Sequence, residues 1–406
     1  MSRRSHACAA VMIAILTVAG LSLAVTACGK KSVSTYHYSQ SPTSTASSSM
    51  SPTAQPSGTA TSVAGGQTVL AVASGPSANA LSVVTPAGAF KMLVGPKGGG
   101  IREISWSSDG THIAYTQAKS FSNYSGTLNV YDVTTGSVWQ VLFGGVVPHD
   151  VVGYAWVSPT KLIVSAFTTA GNTYHANGTL YTVDVSTSVV KQVIDNTGKT
   201  LFGVDPTASA DGMAISFIHW GSVSGGGIAE SLELLAADTL TVSTVAHSTS
   251  PTEYDGDAFD FSAISPDGSM IATSSTGGDI GFSLTVYRVD GTKAFSHNAL
   301  TWPTRPAWNP MIPDRLAYAA GPESTLVDRL YIESPTARTT ALSLKGRSIA
   351  DPAWSSDGNN VAYAVFGMTG NNGNLYVTAS SAGSTPQLLL KNASWPAWGE
   401  ANIPGL

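Results

Sequence analysis

The strongest constraint on this chain is a phrase that it repeats. Asp351 to Val365 reads DPAWSSDGNNVAYAV: a short apolar strand, a polar Ser-Ser-Asp-Gly corner, and a second strand leaving it. Asp bonds the backbone ahead of it and Gly accepts positive φ without a steric penalty, so the corner predicts a β-hairpin. The phrase appears first as EISWSSDGTHIAYT (Trp106, Asp109, Gly110), then as YAWVSPTKLIVSAF (Trp156, corner replaced) and DPTASADGMAISFI (Asp211, Gly212, no Trp). It returns as SAISPDGSMIATSS (Asp267, Gly268), PAWNPMIPDRLAYAA (Trp308, corner altered) and the copy with Trp354, Asp357 and Gly358. A truncated WPAWG puts Trp398 near the end.

The aligned positions, 106, 156, 208, 264, 308, 354 and 398, lie 44 to 56 residues apart. That is the length of one four-stranded propeller blade. Each phrase is followed by two more alternating runs, such as LNVYDVTTGSVWQVL and LYVTASSAGSTPQLLL, so six complete units fit between Ile104 and Leu390. Before the first phrase lie TVLAVASG, LSVVTPAG and FKMLV, three strands lacking a first; after the last unit lies SWPAWG, a first strand with nothing following. Joined, they make a seventh blade, and a closed ring leaves no unpaired ends to aggregate. The expectation is an all-β, seven-bladed β-propeller closed by strands from both termini, with six blades as the fallback should the end segments not pair.

The [PA]-W-S-x-D-G-x-x-[IV]-A-Y phrase resembles the PD40, or WD40-like, repeat of TolB-type propellers, across roughly residues 67–400. The resemblance implies the fold and little about function. Several units depart from it: there is no Trp at Thr207 or Ala208, and no Asp-Gly at Pro159-Thr160 or Ile312-Pro313.

Residues 1–27 carry a basic start (Arg3, Arg4) and an apolar run from Ala9 to Val25, the pattern of a secretory signal rather than of a fold. The run ends Val25-Thr26-Ala27-Cys28-Gly29, similar to the lipobox of bacterial lipoproteins. The resemblance implies cleavage before Cys28, acylation of its thiol with palmitate-type chains, and attachment to the extracytoplasmic face of the cell membrane. Each buried CH₂ adds about 0.8 kcal/mol, so two or three chains hold firmly. Residues 28–66 follow as a tether of Ser, Thr, Pro, Ala and Gly, without the apolar periodicity that repays ordering. As a flexible coil it spans about 35 Å. Residues 401–406 are read as a C-terminal tail. Cys8 and Cys28 are the only cysteines, so the exported chain forms no internal disulfide. Loss of Arg3 and Arg4 leaves 18 basic side chains against 25 acidic, a formal charge of −7, with no basic stripe. Nucleic acid is excluded as a partner.

The repeat tryptophans are read as packing between blades, with each N–H finding a partner, and the corner aspartates as turn formers. Function is sought in the loops that lead into the first strand of each blade, because loops on a rigid scaffold carry it. They offer Arg102, His149, Asp150, Asp205, Tyr254, Asp255, Asp257, Arg305, Arg347, Asp351 and Trp395 as candidate ligand-binding residues. Mixed charges and aromatics around one mouth suit a peptide, glycan or protein ligand. Asp255, Asp257 and Asp260 lack the long loop and closing Glu of an EF-hand, and neither His-x-x-x-His nor Cys-x-x-Cys occurs, so no metal or other cofactor is expected. No G-x-S-x-G elbow or phosphate-binding glycine loop is present. The expectation is a non-catalytic binding or scaffold module for an envelope protein or cell-wall polymer; the alternative is a hydrolase or lyase acting on envelope glycans or small molecules.

Overall fold

The computed structural model describes residues 66–406 apart from 119–125, 144–149, 168–176, 223–227, 251–256, 278–281, 302, 323–326, 345–346, 368–372 and 382. The signal segment, Cys28 and the tether up to residue 65, together with His149, Tyr254 and Asp255, lie outside the described residues.

Among the described residues the chain is strands and turns. β1 (Gln67–Ser74), β2 (Ala80–Val84) and β3 (Phe90–Val94) come first. A second group is β4 (Ile101–Trp106), β5 (His112–Ala118), β6 (Gly126–Asp132) and β7 (Val138–Gln140). A third is β8 (Asp150–Ser158), β9 (Lys161–Phe167), β10 (Gly178–Asp184) and β11 (Val189–Gln192). A fourth is β12 (Phe202–Ala208), β13 (Ala214–Ser222), β14 (Ile228–Ala236) and β15 (Thr241–Ser250). The fifth is β16 (Asp257–Ile264), β17 (Met270–Gly277), β18 (Phe282–Arg288) and β19 (Lys293–Thr301). The sixth is β20 (Ala307–Trp308), β21 (Leu316–Pro322), β22 (Arg329–Ser334) and β23 (Ala337–Ser343). The last strands are β24 (Ser348–Trp354), β25 (Asn360–Phe366), β26 (Asn374–Ala379), β27 (Gln387–Leu390) and β28 (Ala393–Ala401).

Within each group consecutive strands pair antiparallel, as in the sheet β24-β25-β26-β27. The first three strands find their missing partner at the other end of the chain: β28 pairs with β1, from Gln67 opposite Ala401 to Ser74 opposite Ala393. Among the described residues the strands form sheets of four, twelve, eight and four, the two larger ones joined across groups at β6–β8, β10–β12 and β19–β21. The first strands of the groups touch in a closed cycle, β4, β8, β12, β16, β20, β24, β28 and back to β4, around a central bore. The C-terminal end is held at the same place: Ile403 is buried, and Lys91 Nζ donates to the carbonyl of Pro404.

The apolar core sits between units rather than inside one. Ala114, Leu128 and Val130 of the β4–β7 unit pack with Leu162, Val164 and Tyr181 of the next. Leu330 and Ile332 pack with Trp354, Val361 and Tyr363 across a later interface. Burying side chains of this size contributes roughly 1.5–3 kcal/mol each, so facing sheets supply most of the cohesion.

The corners explain their own sequence. Ser107 Oγ donates to Asp109 Oδ1 (2.7 Å), which also accepts from Thr111 N (3.1 Å), while Ser107 Oγ accepts from His112 N (2.9 Å). The same bonds recur at Ser209/Asp211, Ser265/Asp267 and Ser355/Asp357. Gly110 has φ +68, and a Cβ there would lie 1.9 Å from the carbonyl oxygen of Glu400, so the glycine serves both the turn and the approach to the neighbouring unit. Where the corner is altered, Asn309 takes over: Oδ1 accepts from Met311 N and Ile312 N (2.9 Å each), and Nδ2 donates to Gly358 O (2.9 Å).

The tryptophans form an inter-unit series. Trp106 Nε1 donates to Ala397 O (3.0 Å), Trp156 to Ser105 O (3.4 Å) and Trp308 to Ala263 O (2.8 Å). Trp354 donates to Ala307 O (2.9 Å) and Trp398 to Ala353 O (3.0 Å). In every case the acceptor immediately precedes the aligned position of the preceding unit.

Candidate functional site at the bore

Three residues before each aligned position, the first strands place Glu103, Gly153, Asp205, Phe261, Arg305, Asp351 and Trp395. Four of these seven are charged. The backbone turns them out of the ladder: Glu103, Asp205, Asp351 and Trp395 have φ of +49, +58, +54 and +54. The registers slip at the same points, between Arg102 and Ser105, Val204 and Thr207, and Ala350 and Ala353. These are β-bulges, which re-aim a side chain at a local cost of about 1–2 kcal/mol for a left-handed non-glycine residue. Proline follows at Pro206, Pro306, Pro352 and Pro396, where a missing N–H costs the disrupted ladder little.

The result is a mixed-charge cluster. Arg305 Nη2 forms an ion pair with Asp205 Oδ1, although a whole unit, β16–β19, stands between their strands. Asp205 is only 6% exposed, and its Oδ2 accepts from Ser262 N at 3.1 Å. Arg305 keeps 40% of its side-chain surface accessible, yet enclosure by protein lowers its pKa against the opposing pull of Glu103, Tyr154 and Asp351. Its guanidinium is thus surrounded by protein groups yet reached by solvent. Burial raises the Glu103 carboxyl despite Arg305 and Arg102. Burial likewise pushes Asp351 up to about 7, opposed by the backbone N–H of Trp395 and then by Arg102 and Arg305. Buried Tyr154 has its hydroxyl pKa raised well above the ordinary value by desolvation and by Glu103; that hydroxyl donates to Ala114 O at 2.9 Å.

A second acidic pair lies along the same cycle. Asp260, in the bulge of β16, keeps an exposed side chain, yet desolvation pushes it up to about 6, opposed by the Ser274 hydroxyl at 3.1 Å. Glu230 is 4% exposed, accepts from Phe259 N, and is pushed up to about 7 by burial and by Asp260.

The structure therefore brings together Arg102, Asp205, Arg305, Asp351 and Trp395. It places them within first strands, or for Arg305 just before one, rather than in the preceding loops. Asp150 opens β8 and is half-buried; Arg347 is exposed ahead of β24. Neither is among the groups that set the charge state of Glu103, Arg305 or Asp351. Asp257 opens β16, its side chain outside what is described. Sequence reasoning passed over Glu103, Tyr154 and Glu230. Counting three residues back from each repeat position finds Glu103, whereas Glu230 sits on a third-position strand with no such register. Among the described residues, no group of three or more His, Cys, Asp or Glu is arranged to hold a metal ion.

No protein-family model and no curated protein matches the chain. Solved structures do. The β-propeller domain of the Trilobed protease from Pyrococcus furiosus aligns with a TM-score of 0.51 at 13% identity, covering 77% of this chain and 87% of that one. The chain folds as a β-propeller. TolB from Acinetobacter baumannii aligns at 0.45 and 16% identity over 82% of this chain, which spans 66% of that protein's length. TolB, as assigned in Agrobacterium tumefaciens, aligns at 0.44 and 11% identity over 81% of this chain and 91% of that one. At such identities the likeness is one of fold.

Proposed function

We propose that this propeller is a lipid-anchored, extracytoplasmic binding module, held to the membrane through Cys28 and a tether, that receives an envelope partner at the bore. One observation carries the reading: first strands of separate units, and for Arg305 the segment just ahead of one, bring Glu103, Asp205, Arg305 and Asp351 into one electrostatic cluster, each carboxylate at a left-handed bulge. Backbone strain of this kind clusters at functional sites, so its recurrence at the bore supports a ligand site. A photoreactive residue at Arg347, with one at Ser48 in the tether as control, tests this in intact cells. One protein adduct from Arg347 and none from Ser48 supports the module. No adduct from either overturns it. Metabolic palmitate labelling lost in Cys28→Ala tests the anchor.

A catalytic reading has its own observation. Glu103 and Asp351 carry raised carboxyl pKa values beside two arginines, and such perturbation marks acid–base sites as well as binding ones. Turnover of an envelope glycan by the purified chain, falling by orders of magnitude in Asp351→Asn, would favour it.

A further inference from the structure

We infer that the bore takes the free C-terminal carboxylate of a peptide chain, with Arg305 as its anchor. The inference rests on the binding reading above and names the ligand's chemistry.

Arg305 is the point of departure. A guanidinium carries five N–H donors in a fixed fork that matches a carboxylate bidentately. Asp205 engages Nη2, and among the described residues no hydrogen bond takes the other donors. The 40% of this side chain that remains accessible lets a ligand reach it. Both oxygens of Asp205 are already engaged, one by Arg305 and the other by Ser262 N, and a carboxylate offers no donor. The open valence of the cluster thus belongs to the cation, and the group that fills it is an oxyanion.

The surrounding carboxyls argue against repulsion of a single anion. Asp351 is held up by burial to about 7, so near neutrality it stands partly protonated and donates rather than repels, and burial shifts Glu103 in the same direction. The titratable groups facing Arg305 are then Asp205, Glu103, Asp351 and the neutral hydroxyl of Tyr154, with Arg102 acting on Glu103 and Asp351. A polyuronate would bring many anions to a cluster in which Asp205 already takes up part of the charge of Arg305. A peptide end brings one.

The test uses the full-length chain and a fluorescein-labelled random hexapeptide mixture, made once with a free C-terminal carboxylate and once as the amide. The free acid is expected to bind at least tenfold tighter at pH 6. That preference shrinks as pH rises to 8, when Asp351 ionises and competes for the guanidinium. Arg305→Gln/Asp205→Asn, which removes the cation without orphaning its partner, brings the acid down to the amide. Equal binding of acid and amide overturns the inference, as does an acid preference that survives in the double variant. Binding of trigalacturonate with the same Arg305 dependence, and none of the peptides, overturns it in favour of an acidic glycan. If no peptide binds while the Arg347 adduct persists, this inference fails and the binding module stands; loss of both removes the broader reading too.

Discussion

The indole N–H of Trp106 donates to the carbonyl of Ala397 at 3.0 Å, across 291 residues of sequence. It is the same bond that Trp354 makes to Ala307 and Trp398 to Ala353 between sequential units. The joint between first and last repeats is therefore built like the others. Ring closure rests on the β1–β28 ladder and on one more repetition of the inter-unit contact.

These bonds can be ranked. Trp308 Nε1 to Ala263 O is 2.8 Å, whereas Trp156 Nε1 to Ser105 O is 3.4 Å. Trp308→Phe keeps most of the packing but leaves a carbonyl without its donor, which costs about 1–2 kcal/mol. Trp156→Phe, losing a bond at the edge of the useful range, costs about half as much. Urea midpoints of the two variants at constant m check this; equal losses would show that volume rather than the hydrogen bond sets the cost.

Closure also makes a steric demand. A Cβ on Gly399 would lie 2.5 Å from Trp106 Cδ2, in the joint between the terminal units. Gly399→Ala forces the indole or β28 to shift and is expected to cost about 1–3 kcal/mol. Gly98→Ala, where a Cβ meets open space, stays within about 0.5 kcal/mol of the parent. Thermal unfolding of both variants separates a tight joint from a general intolerance of side chains near the termini.

How much of this was legible in the sequence follows from the range of each interaction. The Ser-x-Asp-Gly corner is local, with every partner within five residues, so its phrase announces it. Ring closure was legible for another reason, since two incomplete repeats at the ends have one way to complete each other. The bore was half legible. Asp205, Arg305, Asp351 and Trp395 drew notice as polar or aromatic residues near the first strands. Their common register three residues before the repeat position, and hence Glu103, emerges only when the bulges are seen. Glu230 was out of reach because its environment is made by β16 of the following unit. The anchor at Cys28 and the tether rest on the sequence alone.

Raised carboxyl pKa values fix the sign of a pH dependence. Asp351 and Glu230 at about 7 and Asp260 at about 6 bind protons more tightly folded than unfolded, where carboxyls titrate near 4. Their contribution is fully present below the unfolded pKa and is lost as pH rises through the folded values, so stability falls between pH 4 and 7. Asp357 runs the other way. The Ser355 hydroxyl lowers its pKa, and that contribution disappears only below the ordinary carboxyl range. Urea midpoints measured from pH 4 to 7 are expected to slope downward, and Glu230→Gln to flatten the slope. A midpoint that rises across that window in the parent protein would contradict the burial of these acids.

The pairing of Arg305 with Asp205 is open to a thermodynamic cycle. Removing either charge leaves the other enclosed at the bore without its counter-ion, and breaking a fully buried pair costs about 3–5 kcal/mol. Because Arg305 is 40% accessible, solvent screens part of that loss, and about 1–3 kcal/mol is expected for Arg305→Gln alone. Asp205→Asn leaves an oxygen for Ser262 N but loses the ion pair. Each single variant should therefore lower the urea midpoint. The double variant should lose less than the sum of the two, with a coupling of about 1 kcal/mol or more. The same cycle in 1 M salt reports where the pair lies, since an enclosed pair is screened far less than an exposed one and should keep most of its coupling. Strict additivity would mean that Arg305 does not rest on Asp205 in solution and that the bore stands open between the two strands.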